Sequence, residues 1–106
     1  MESMSELYNL ILSEEAKEDM VSYIDYITYT CDAPKTGKEH YYGLYDLLKS
    51  IQKNPTVYSI RKNRSLLRYG YNVRRANFKK MAIIYTIHDS TVYIHRVIAA
   101  SMITDL

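Results

Sequence analysis

The sequence predicts an α+β fold with the element order β-α-α-β-β-β. Three observations predict it. Two early segments place apolar residues at steps of three and four, as helices do. From Tyr69 onward the apolar period changes to two, as in strands. The breaks within the helical pair and between the last three strands are short, so those neighbours in sequence should be neighbours in space. Helices covering one face of a strand-rich C-terminal half make a two-layer α+β sandwich with a small, antiparallel-rich sheet.

Taken in order, residues 6–12 ("ELYNLIL") read as the first strand. Helix one follows as "SEEAKEDMVSYIDYITYTC", with Ser13 as N-cap and Glu14 and Glu15 suited to the positive end of the helix dipole. Its apolar stripe is Ala16, Met20, Ile24, Ile27 and Cys31. "DAPKT" is the break, and Thr36 with Glu39 matches a capping box for helix two. Tyr41, Leu44, Leu48 and Ile51 form its inward stripe, and Pro55 ends it near Asn54. A loop this short predicts an antiparallel helical hairpin. "TVYSIRKNRSLLR" has no period and reads as loop. Strands follow at 69–76, 80–88 and 91–100, with "NFKK" and Asp89-Ser90 as their turns. The second turn lacks the glycine that such connections favour.

At 106 residues the chain predicts a single domain, residues 1–106. Hydrophobic residues make up 47% and charged residues 25%, a balance that folds. No apolar run approaches the roughly 20 residues of a membrane helix. The acidic start "MESMSELYNL" has no basic n-region and does not read as a signal peptide. The single cysteine, Cys31, has no partner for an internal disulfide, so a cytoplasmic home is expected.

The net charge of +2 conceals a polarised chain. From Met1 to Asp46 there are ten acids and three lysines. From Leu47 to His88 there is no acid, while Lys49, Lys53, Arg61, Lys62, Arg64, Arg68, Arg74, Arg75, Lys79 and Lys80 are all cationic. Such asymmetry points to nucleic acid or an acidic partner, against the plainer reading of a solvated basic face. Tyrosine is the other anomaly: twelve tyrosines, one Phe and no Trp. Tyr23, Tyr26 and Tyr29 ride the first helix, and Tyr41, Tyr42 and Tyr45 the second. Rings that bury a face and keep a wet hydroxyl suit either a surface that a partner covers or the rim of a small core. Cys31, His40, His88 and His95 lack any ligand spacing, and only three glycines are present, so neither a metal site nor a phosphate-cradling loop is expected.

The ordered set of "LSEEAKEDM", the hairpin closing at "NP", the basic "YNVRRANFKKMAIIYTI" and the last strand "VYIHRVIAAS" resembles the RelE/ParE toxin superfamily of bacterial type II toxin–antitoxin systems. The resemblance spans essentially the whole chain and implies its fold. It also implies a cognate antitoxin, small, acidic and partly disordered, whose complex with the toxin binds operator DNA. Growth inhibition and plasmid stabilisation are the expected roles. One branch of the superfamily cuts messenger RNA on the ribosome; the ParE-like branch poisons DNA gyrase without cutting RNA.

RNA cleavage through the 2′-hydroxyl needs a proton acceptor, cations on the phosphate and a proton donor for the leaving oxygen. Arg74 and Arg75 stand where the cutting branch places strand cations, Lys79 and Lys80 add charge, and His95 is a candidate base. The residue before "IIY", an arginine in that branch, is Ala82 here, and after Arg96 "VIAASMITDL" offers no Arg, Lys, His or Tyr. The reading therefore favours the ParE-like branch, with no cofactor and no assured catalytic residue. The alternatives are a ribosome-dependent endoribonuclease using Arg74, Arg75, Lys79, Lys80 and His95, or an inactive homologue that still binds antitoxin. Arg61, Arg64, Arg68, Arg74, Arg75, Lys79, Lys80 and Arg96 are the candidate residues for binding partner or target. His88 and His95 also read as structural or surface histidines, and His95 and Arg96, as strand neighbours, are expected on opposite faces.

Overall fold

The computed structural model describes residues 7–103. Four strands form one mixed sheet in the order β1-β4-β3-β2. Strand β1 (Asn9–Leu12) pairs parallel with β4 (Thr91–Ala99), while β2 (Arg74–Phe78), β3 (Met81–His88) and β4 form the antiparallel meander. The expected start of the first strand, Glu6, lies outside the described residues.

Helix α1 (Glu14–Asp25) begins where its cap demands. Ser13 has extended backbone, and its hydroxyl accepts from the Ala16 amide at 2.9 Å. The same hydroxyl donates to the His95 carbonyl at 2.8 Å, which ties the start of α1 to β4. The helix continues as a π-helical turn, Tyr26–Thr30. A π turn holds an extra residue, so the stripe loses phase. Ile27 stays buried, but Cys31, expected to close the stripe, is exposed.

Helix α2 spans Pro34–Lys53. The expected capping box at Thr36 and Glu39 does not form, because the helix starts two residues before Thr36. Pro34, with its backbone angle pre-set for a first turn, takes that role, and Ala33 precedes it without a side-chain cap. Gly37, Leu44, Leu48 and Ile51 are buried, whereas Tyr41 is half exposed and packs edge-on to Tyr42. Tyr23 faces His40 and Thr28 faces Gly37, pairs that run in opposite senses, so the hairpin is antiparallel. A Cβ on Gly37 would collide with the Thr28 hydroxyl, so glycine allows the close approach.

The sheet has two unlike sides. On the helix side, Leu44, Leu48 and Ile51 pack with Ala16, Ile83, Tyr85, Val92, Ile94 and Val97. Tyr85 donates to the Pro55 carbonyl at 2.6 Å, and burial pushes its phenol up to about 12. On the opposite side, a smaller cluster of Leu66, Val73, Ala82 and Ile84 lies beneath a 3₁₀ helix, Arg64–Tyr69.

Segment 56–68, expected as loop, thus contains that 3₁₀ helix, part of another at Pro55–Val57, and a bridge from Ile60 to Arg74. The strand expected at 69–76 begins at Arg74, since Gly70 adopts φ 140° and Gly70–Asn72 turns the chain first. It runs on to Phe78, so the "NFKK" turn shrinks to Lys79-Lys80, with Lys79 at φ 55°. Strand β3 correspondingly opens at Met81, not Lys80, and β4 ends at Ala99 because Ala100–Met102 coils into a 3₁₀ turn. The Asp89-Ser90 connection closes without glycine because Asp89 itself adopts φ 55°, which aspartate tolerates better than most residues.

Candidate functional site

Residues 60–74 form a loop closed at its neck. Ile60 bridges Arg74, and the Arg61 amide donates to the Val73 carbonyl at 2.8 Å. Leu66 pins the loop to the sheet, and the Asn72 side-chain amide donates to the Ile87 carbonyl at 2.8 Å. Compact loops with close ends are frequent sites of function. This one carries Arg61, Lys62, Arg64, Arg68 and Arg74, and no acid.

The arginines differ in environment. Arg64 and Arg68 are exposed, and the Arg68 guanidinium lies 4.9 Å from the Tyr69 ring centre. Arg61 and Arg74 are partly buried; each keeps a buried Nε with no hydrogen-bond partner among the described residues. Arg74 Nη1 donates to the Tyr58 carbonyl at 2.5 Å. Arg75 donates to Asn77 Oδ1 at 2.9 Å. Strand alternation separates the neighbouring pair. Arg74 lies opposite Tyr85 on the helix side, and Arg75 lies opposite Ile84 on the loop side. Lys79 and Lys80 are exposed at the far end of β2. Arg74, Arg75, Lys79 and Lys80 therefore follow the outer strand, β2, whereas Arg68 lies over the loop side of the sheet, in a cleft it shares with Arg96 and Ile98.

Arg96 stands apart. Its Nε and Nη2 donate to the two carboxylate oxygens of Asp19 at 2.7 and 3.0 Å, and Glu15 lies 4.0 Å away. Asp19 also accepts from the Val97 amide at 2.9 Å. The Asp19 hydrogen bond holds the Arg96 guanidinium well above its ordinary value, against the opposing effect of burial. Among the described residues, none of the other cations proposed for binding forms an ion pair.

The expectation that His95 and Arg96 occupy opposite faces is corrected by a β-bulge. Tyr85 pairs with Ile94 and Ile84 with Arg96, leaving His95 as the extra residue. Both side chains then meet Tyr69. The His95 ring lies 5.2 Å from the Tyr69 ring, and the nearby Tyr69 hydroxyl adds to the upward shift of Arg96. His95 Nε2 is 2.8 Å from the hydroxyl of fully buried Thr86. Burial, and then the charge of His88, lower the His95 pKa below the ordinary histidine value. Ala82 is fully buried within the loop-side cluster, so no cation occupies that register.

Sequence reasoning did not single out Tyr69, Tyr71 or Thr86. The interleaving of rings and cations in "RYGYNVRR" was the available signal for the first two; nothing in the pattern marks Thr86. Among the described residues no group of three or more His, Cys, Asp or Glu is placed to hold a metal ion, and no helix is long and apolar enough to cross a membrane. The arrangement is suited to holding anions.

The model of the ParE toxin family of type II toxin–antitoxin systems, parDE, matches residues 10–104. The chain belongs to this family. Among solved structures, a chain described as "Chromosomal ParDE TA system from P. aeruginosa" superimposes with a TM-score of 0.68. The match covers 88% of the present chain and 96% of the other at 14% identity, a likeness that concerns the fold. Comparison with curated proteins finds no match. As a ParE-family toxin the chain has a toxin–antitoxin context, and a cognate antitoxin is its natural partner.

Proposed function

We propose that this ParE-family toxin arrests growth by binding a cellular target, DNA gyrase by family analogy, and not by cutting RNA. One observation carries the reading: the groups that RNA cleavage would recruit near the last strand are missing or engaged. Ala82 replaces a strand cation, Arg96 is held by Asp19, and His95 Nε2 is held by Thr86. A base in this position, its proton affinity lowered by burial, has no free cation on its own strand to stabilise a developing phosphate charge. The candidate cations left for target binding are Arg61, Arg64, Arg68, Arg74, Arg75, Lys79 and Lys80.

In the cytoplasm, a small acidic antitoxin with a disordered segment neutralises the toxin, steered to the cationic edge by charge. Its contact extends over the tyrosines of the helical hairpin, of which Tyr26, Tyr29, Tyr41, Tyr42 and Tyr45 are exposed. Operator DNA is bound by the complex. The test pairs two assays. Purified gyrase should fail to supercoil relaxed plasmid when this protein is added, and primer extension on cells expressing it should show no new messenger RNA ends. Supercoiling left intact together with ribosome-dependent cuts would overturn the proposal.

A further inference from the structure

We infer that the loop formed by residues 60–74 is itself a nucleic-acid site: it takes single-stranded DNA or RNA, with arginines on the phosphates and Tyr71 as a stacking platform. This contact belongs to the toxin alone, separate from operator recognition by a complex. It does not depend on the identity of the proposed target.

Three observations favour this ligand. First, the loop and its neck carry five arginines, Arg64 and Arg68 on the 3₁₀ segment and Arg61, Arg74 and Arg75 at the neck, with no acid anywhere from 47 to 88. The planar guanidinium fork matches phosphate oxygens, and an unpaired set of such groups draws a polyanion. Second, the Tyr71 ring stands 89% exposed on the turn after Gly70. A free-standing ring on a cationic loop suits a single strand, since every base has a face to stack. The turn that presents it is fixed: the Gly70 amide donates to the Leu67 carbonyl at 3.0 Å, the Val73 amide to the Gly70 carbonyl at 3.2 Å, and Asn72 to Ile87. A Cβ on Gly70 would approach Asn72 Oδ1 to 2.9 Å at a φ of 140°, so the turn requires glycine. Third, an acidic peptide adding to the sheet edge is disfavoured at this end. The backbone at the neck already pairs, Ile60 with Arg74 and Arg61 with Val73. What remains on offer is side chains: charge and a ring.

Fluorescence anisotropy of a labelled oligothymidylate with the purified full chain tests the inference. Binding should weaken with salt, log K falling against log salt by about 0.7 for each phosphate contacted. The Tyr71→Ala variant should bind roughly tenfold more weakly, in line with the energy of one base–aromatic stack, while Tyr71→Phe should bind like the wild type. Arg64→Ala/Arg68→Ala should flatten the salt slope by about 1–2 phosphates. All three side chains are exposed, and an unchanged circular dichroism melt confirms that each variant is folded. No binding at low salt, or binding indifferent to Tyr71→Ala, would overturn the inference. So would displacement by polyglutamate as effective as displacement by unlabelled oligothymidylate, which would assign the loop to acidic protein segments.

Discussion

The two sides of the sheet divide the labour of the molecule. On the helix side, apolar side chains from α1, α2 and all four strands converge. On the loop side, a small buried cluster anchors a 3₁₀ segment that exposes Arg64 and Arg68, with Tyr71 exposed on the turn that follows. The first side holds the chain together; the second holds charge in place at modest cost in apolar burial. The loop side is itself divided, since Arg96, opposite Ile84, differs from the loop arginines. Arg96, against α1, is held in a two-pronged ion pair by Asp19, whereas Arg64 and Arg68 face solvent.

Truncation should expose the difference most strongly. Leu44→Ala should cost about 2–5 kcal/mol of unfolding free energy, as deletions in a rigid core do. Leu66→Ala should fall at or below the lower end of that range, because a loop can collapse onto the space. Urea denaturation measures both, and an equal loss would merge the loop into the main core. Next in size is Asp19→Asn. It removes the anionic partner of Arg96 and weakens the bond to the Val97 amide, and should cost about 1.5–3 kcal/mol by the same assay. A change near zero would make the ion pair incidental.

The smallest effect concerns His95. Its folded-state pKa is lowered, first by burial, so folding favours the neutral ring. The contribution is complete above the unfolded value near 6.5 and is lost as pH falls from there through the folded value. Wild type should therefore lose stability relative to His95→Gln as pH is lowered across that window. Parallel curves for the two proteins would show that burial does not disfavour the charged ring.

Much of this division was legible in the sequence. The apolar steps of α1 and α2 and the period of two in β3 and β4 report burial directly, and burial is what those elements share. The acid-free segment announced the charge. What the pattern did not carry was geometry set by single residues. Pro34 outcompeted the Thr36–Glu39 box, and the π turn put Cys31 outside its stripe. Gly70 delayed β2 until Arg74. The faces of Arg74, Arg75, His95 and Arg96 depend on register, and a bulge at His95 leaves no compositional trace. The site residues were thus readable as a set of charges along the chain, while their distribution over an edge, a loop and an ion pair required coordinates.

The central claim is that the loop side carries the toxic function and the helix side the stability. The most direct measurement is growth after induction of the wild-type chain and of Arg64→Ala/Arg68→Ala/Arg75→Ala in the same host, with thermal unfolding of both purified proteins. The wild type should halt growth, and the variant should relieve the arrest while its melting temperature stays within a few degrees. Arrest by a folded variant as complete as that by the wild type would contradict the claim.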